Sequence, residues 1–179
     1  KEDIHKKIHN SRSLILLRDY YDTFYYKKIK RSNLHNYIKF VNLNILNETL
    51  REERSIILCS AHFGRMIFPL IGLSKLGYDV SLITADANSF SNEEKDFQKF
   101  KQDTIEKSLS GDIYSNKSVR KFYNLLSNNK NKILTTIIDN FECDYDNSCV
   151  RLDFLGKSVI CKRGIVKLAE KTKAIIIPY

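Results

Sequence analysis

Apolar positions along this chain follow two different periods. Residues 55–61, 80–85 and 133–138 are near-continuous apolar runs, and each is followed at its end by a residue able to handle protons: His62, Asp86 and Asp139. Between and after these runs apolar residues recur at helical spacing, as in Leu70, Ile71, Leu73 and Leu76, or Val119, Phe122, Tyr123 and Leu126. Unbroken apolar strands separated by helices predict a parallel sheet buried on both faces. In open sheets of that kind a ligand crevice forms at the carboxyl ends of the strands. The pattern therefore sets three chemically useful side chains on the edge where such a fold carries its site.

Smaller signals fill in the rest. Leu14, Leu17, Tyr21 and Phe24 share one helical stripe, and Leu34, Ile38, Val41 and Ile45 another, predicting two amphipathic helices before the first strand. Gly77 closes the helix after His62. Ser91 with Glu94 matches a capping box and opens a helix bearing Phe97 and Phe100. Residues 112–114 suggest a short strand. Val150, Leu152 and Phe154 alternate with charged residues, Leu155-Gly156-Lys157 turns, and Val159 and Cys161 follow, which predicts a hairpin. A short helix with Ile165, Leu168, Ala169 and Thr172 then leads to a last strand at 175–178. The expected class is α/β: a mainly parallel sheet flanked by helices, with a β-hairpin insertion and an N-terminal helical lead-in. The 179 residues suit a single domain, with 1–54 as the basic lead-in and 55–179 as the core.

Charge changes the picture at one end. Of the net +9, residues 1–40 carry +6, from ten Lys and Arg against four acids. Tyr20, Tyr21, Phe24, Tyr25, Tyr26 and Tyr37 are interleaved with that charge. Such a face suits an anionic partner: a membrane surface, an acidic carrier protein or nucleic acid. The plainer reading is a solvated helix face with half-buried tyrosines. No run approaches the roughly 18 apolar residues that cross a bilayer, and no signal peptide is visible. The chain begins at Lys1 rather than Met and stops at Tyr179 directly after a strand-like run. It reads as incomplete, which leaves open an anchor outside it. Cys59, Cys143, Cys149 and Cys161 lack metal-ligand spacing and read as reduced thiols of a cytoplasmic protein.

The chemistry centres on His62. An imidazole titrates near neutrality, so at a strand end it can take a proton from a hydroxyl attacking a carbonyl. Gly64 would let a substrate approach the backbone. Arg65, Arg163 and the amides of the following helix could meet a phosphate, an acidic carrier or a developing oxyanion. His5 and His9 stand four apart but lack the glutamate of a zinc-protease helix, and no glycine-rich phosphate loop is present. No metal site is expected.

Several blocks occur together in a telling order: Ala61-His62-Phe63-Gly64-Arg65-Met66-Ile67, Leu73-Ser74-Lys75-Leu76-Gly77-Tyr78, Ile138-Asp139-Asn140, Asp153-Phe154-Leu155-Gly156-Lys157, and the stretch from Arg163 to Pro178. From about Ser55 to Tyr179 this series resembles the lipid A biosynthesis late acyltransferases, within the wider lysophospholipid acyltransferase superfamily. The resemblance implies an enzyme of lipid biosynthesis at the cytoplasmic, inner face of the cell membrane. It would move a fatty acyl group from an acyl-carrier-protein or CoA thioester to a hydroxyl of a lipid or glycolipid. No cofactor beyond that thioester cosubstrate is implied, and lipid A itself is not.

The resemblance makes His62 the general base and expects an acid at the position that holds Ile67 here. That acid would orient the imidazole and stabilise its protonated form. Asp139 or Asp86, on the same sheet edge, could substitute. The alternative is an inactive relative that binds acyl chains, a carrier protein or a membrane surface. Specific nucleic-acid binding has no recognition motif behind it.

Overall fold

Five strands pair in parallel: β1 (Ile56–Ser60), β2 (Val80–Thr84), β3 (Ile113–Ser115), β4 (Ile133–Ile137) and β7 (Ile175–Pro178), in the order β3-β2-β4-β1-β7. This computed structural model describes Leu14 and residues 17–62, 64–85, 91–128, 130–139 and 149–179. The fold is the expected one, α/β with a mainly parallel sheet, flanking helices, a separate hairpin and an N-terminal helix. Alternation along β1 divides the core into two layers. Ile56 and Leu58 pack with Leu70 and Ile71 of α3 (Ile67–Leu76), while Ile57 and Cys59 pack with Phe122 and Leu126 of α5 (Val119–Asn128) and Leu168 and Ala169 of α6 (Gly164–Thr172).

That layering positions the site. Helix α3, which follows β1, packs on one face of the sheet, and α6 packs on the other. β1 and β4 are neighbours in register, so the groups at their carboxyl ends stand side by side on one edge of the sheet, the edge where open parallel sheets carry their ligands.

Gly111 sets the edge of the sheet. A Cβ there would lie 2.4 Å from Ser81 Oγ and 2.8 Å from the Val80 carbonyl oxygen, because this residue lies close against β2 on the way into β3. Gly111→Ala is therefore expected to cost about 1–3 kcal/mol of stability, the usual penalty of overpacking. Denaturant unfolding of the variant would measure it, and an unchanged midpoint would refute this close approach.

Four expectations need correction. The stripe Leu34, Ile38, Val41, Ile45 does not form one helix: a 3₁₀ turn, Arg31–Asn36, gives way to irregular chain before α2 (Leu43–Arg51). Ile38 Cδ1 and the Phe40 ring instead fill the space over Gly72, 2.7 and 2.8 Å from where a Cβ would stand, and Val41 and Ile45 are exposed. Helix α1 (residues 17–25) forms, but its apolar stripe faces outward, with Leu14, Leu17, Tyr21 and Phe24 all exposed. Ser91 precedes α4 (Asn92–Glu106), yet its hydroxyl donates to the Glu94 carboxylate at 2.9 Å rather than accepting from a backbone amide as a capping box requires. Finally, Cys149, the first residue of β5 (Cys149–Phe154), is disulfide-bonded to a partner outside the described residues, whereas Cys59 and Cys161 are free thiols. β5 pairs with β6 (Lys157–Lys162) as a separate two-stranded ribbon, of marginal stability by itself.

Candidate active site

The register of two adjacent strands builds the centre of the site. Ser60 at the end of β1 lies opposite Ile137 at the end of β4, and the Ile138 amide donates to the Ser60 carbonyl at 2.9 Å. Two residues further along each strand, His62 and Asp139 meet. One carboxylate oxygen of Asp139 accepts the His62 backbone amide at 2.8 Å, and the other lies 2.8 Å from the ring Nδ1. A single carboxylate thus holds both the backbone and the ring of His62.

Electrostatics fix the direction of the ring contact. Desolvation pushes the Asp139 carboxyl upward. The hydrogen bonds from the His62 amide and ring, the charge of His62 and Asp139's own amide outweigh it and hold the group below its ordinary value. An ionised carboxylate can only accept, so in the neutral form of the ring Nδ1 carries the proton and Nε2 keeps its lone pair. The side chain of His62 is 62% exposed, which leaves Nε2 open to an incoming hydroxyl. This is the geometry of an oriented general base.

Compared with models of known protein families and with curated proteins, the sequence finds no match in either.

The position four residues past His62's immediate neighbour holds Ile67, buried in the core at the start of α3. The acid beside the imidazole comes instead from the neighbouring strand. Asp86, the other acid expected on this edge, lies outside the described residues, as do His5, His9 and Cys143.

Gly64 adopts φ +66°, a backbone turn that suits glycine, and the space where a Cβ would stand is open. Arg65, expected to face an anion, is engaged elsewhere: its Nε lies 3.1 Å from Asp22 Oδ2, and its guanidinium sits 5.1 Å from the centre of the Phe68 ring. Arg163 lies exposed at the N-terminal boundary of α6, and no described contact joins it to His62.

Asp22 escaped the sequence reading. It is buried in α1, and burial raises its carboxyl; Arg65 opposes that rise, Asp19 adds to it and Arg18 reduces it. Only its place on the helix opposite the Leu17–Tyr21–Phe24 stripe could have signalled it, since its partner is remote in sequence.

A cleft of about 310 Å³ opens on the same sheet edge, past the ends of β2 and β3, and includes Thr84, Gln102, Asp103, Glu106 and Ser115 in its lining. A larger hollow of about 430 Å³ between α6 and β7, lined by Arg54, Val166 and Lys173, lies toward the opposite edge. Among the described residues no three His, Cys, Asp or Glu side chains gather as a metal site would require. Nor, among them, is any helix long and apolar enough to cross a membrane.

Proposed function

We propose that this chain is an acyltransferase that moves a fatty acyl group from an acyl-carrier-protein or CoA thioester to a hydroxyl of a lipid or glycolipid. The observation that carries this reading is the His62–Asp139 pair at the carboxyl ends of the adjacent strands β1 and β4. The ordered blocks that resemble the late acyltransferases of lipid A biosynthesis supply the substrate class.

The acceptor hydroxyl gives its proton to His62 Nε2 as its oxygen attacks the thioester carbonyl carbon. The resulting imidazolium is stabilised by the ionised Asp139. Collapse of the tetrahedral intermediate breaks the carbon–sulfur bond, the thiolate leaves and takes the proton from Nε2, and the new ester remains. His62 ends as it began, and no further cofactor enters the balance. The reaction would run at the cytoplasmic, inner face of the cell membrane, with the protein held peripherally on an anionic surface.

The test is thiol release from acyl-carrier-protein and CoA thioesters that depends on added lipid or glycolipid acceptor, with the ester product detected directly. It is run with and without reductant, since a reducing compartment would open the Cys149 disulfide. Acceptor-dependent release is expected. Folded protein that gives none with any donor would overturn the catalytic reading. It would favour the inactive, acyl-, carrier- or membrane-binding relative, for which Ile67 at the acid position speaks.

A further inference from the structure

Helix α1 is turned inside out. Its inward face is polar: Asp22 is 3% exposed and Thr23 fully buried, while Leu17 is 65%, Tyr21 58% and Phe24 60% exposed. Every inward polar group has a partner. Asp22 pairs with Arg65, the Thr23 hydroxyl donates to the Asp19 carbonyl at 2.9 Å, and the Asp19 carboxylate pairs with Lys101. These contacts hold the helix in this orientation, although flipping it would bury the larger apolar side. A helix facing water normally shows the reverse arrangement.

The outward side continues onto α4. Tyr20 stacks on Phe97 with centroids 3.6 Å apart, and Phe24 packs on Phe100 at 5.5 Å. Leu14, Leu17, Tyr20, Tyr21, Phe24 and Phe100, all exposed, form the apolar and aromatic surface of two adjacent helices. Contiguous surfaces of this kind mark interaction sites.

Charge decides the occupant. Arg18, Lys27, Lys28, Lys30 and Arg31 are all exposed along the same stretch, and Lys28 lies over the Tyr25 ring at 4.5 Å. The two acids of this stretch, Asp19 and Asp22, are both taken up by cations from elsewhere in the fold. On α4 the border is mixed, with Glu94 and Asp96 exposed beside Lys95 and Lys99, so the cationic border belongs to α1 and the turn after it. Aromatic and aliphatic groups bordered there by exposed cations match an anionic bilayer, where rings settle at the headgroup level and cations meet lipid phosphates.

We propose that the outward face of α1, with Phe97 and Phe100 of α4, is the surface through which this protein lies on an anionic membrane. The Asp22–Arg65 ion pair then ties that surface to the loop carrying His62 and Gly64, so the site sits at a fixed place relative to the lipid headgroups. The inference builds on the peripheral placement proposed above but not on acyl transfer, and its test involves no thioester.

The test is partition of the protein onto phosphatidylcholine vesicles with and without 30% phosphatidylglycerol. Binding to the anionic vesicles is expected to be at least about 10-fold stronger. The variant L17S/Y21S/F24S is expected to lose about 100-fold, because three apolar side chains no longer enter the lipid. These side chains are largely exposed, and Tyr21 and Phe24 lose only their contacts with Tyr25 and Phe100, so the variant should stay folded in solution with a cooperative melt only modestly below that of the parent. His62→Ala should bind vesicles like the parent, which separates this result from any result on turnover. The chain has no tryptophan, so Phe24→Trp gives a single reporter, expected to shift blue on vesicle binding; Val119→Trp on α5 should not shift. Any of four results would overturn the proposal: undiminished binding by the triple variant, no preference for anionic lipid, tighter binding to DNA or RNA than to vesicles, or a lipid-free dimer that the triple substitution dissolves.

Discussion

His62→Ala is expected to lower acyl transfer by about 10²–10⁴-fold, the usual worth of a positioned general base. The fold should survive the change. The ring is mostly exposed and its described hydrogen bond is to Asp139, while the Asp139 carboxylate keeps its second bond to the backbone amide at position 62. Stability should therefore change by no more than about 1 kcal/mol, in line with other surface substitutions that lose one hydrogen bond. Turnover within 10-fold of the parent, at matched melting temperature, would remove His62 from the chemistry. A fall of about 10- to 100-fold, restored by added imidazole, would keep the role and revise its size.

Asp139→Asn should be nearly as damaging, for a different reason. Asparagine fills the same space but offers one acceptor and one donor where the carboxylate offers two acceptors. If its oxygen keeps the His62 amide, its NH₂ faces Nδ1 and forces the ring proton onto Nε2, the atom that must accept. If it flips, two donors oppose each other at the backbone. Either way kcat should fall by about 10²–10³-fold with little change in KM, since the loss lies in the transition state.

The same substitution carries a stability signature. Asp139 titrates below its ordinary value of 3.8, so its ionised form stabilises the folded state. That contribution is complete above the ordinary carboxylate range and disappears as pH falls through the lowered value. The stability gap between the parent and Asp139→Asn, measured by denaturant unfolding, should be open at pH 7 and narrow steadily below about pH 4. A gap that widens on acidification would contradict the assignment of Asp139 as the ionised partner.

Two misread elements show where pattern stops being informative. The periodicity of Leu14, Leu17, Tyr21 and Phe24 correctly defines one side of α1, but periodicity has no inside or outside. Which side faces the protein is decided by Arg65 and Lys101, remote residues that make burial of Asp22 and partial burial of Asp19 tolerable. In 34–45 the helical spacing is overruled because Ile38 and Phe40 are drawn down onto Gly72, and the chain reaches it only by leaving the helix.

Local composition was enough for the strands, the hairpin and the order of the core helices. A strand buried on both sides must be apolar throughout, and a turn must carry residues that tolerate its backbone. It was also enough to mark His62 and Asp139 as strand-end groups. Their union is a matter of register between β1 and β4, set by packing across a sheet whose neighbouring strands are distant in sequence. Only the folded chain could reveal that the imidazole's acid comes from the adjacent strand rather than from Ile67, and that Arg65 is spent on a buried carboxylate. Hydrogen bonds and ion pairs act over a few ångströms of space, and a linear sequence records no such distance.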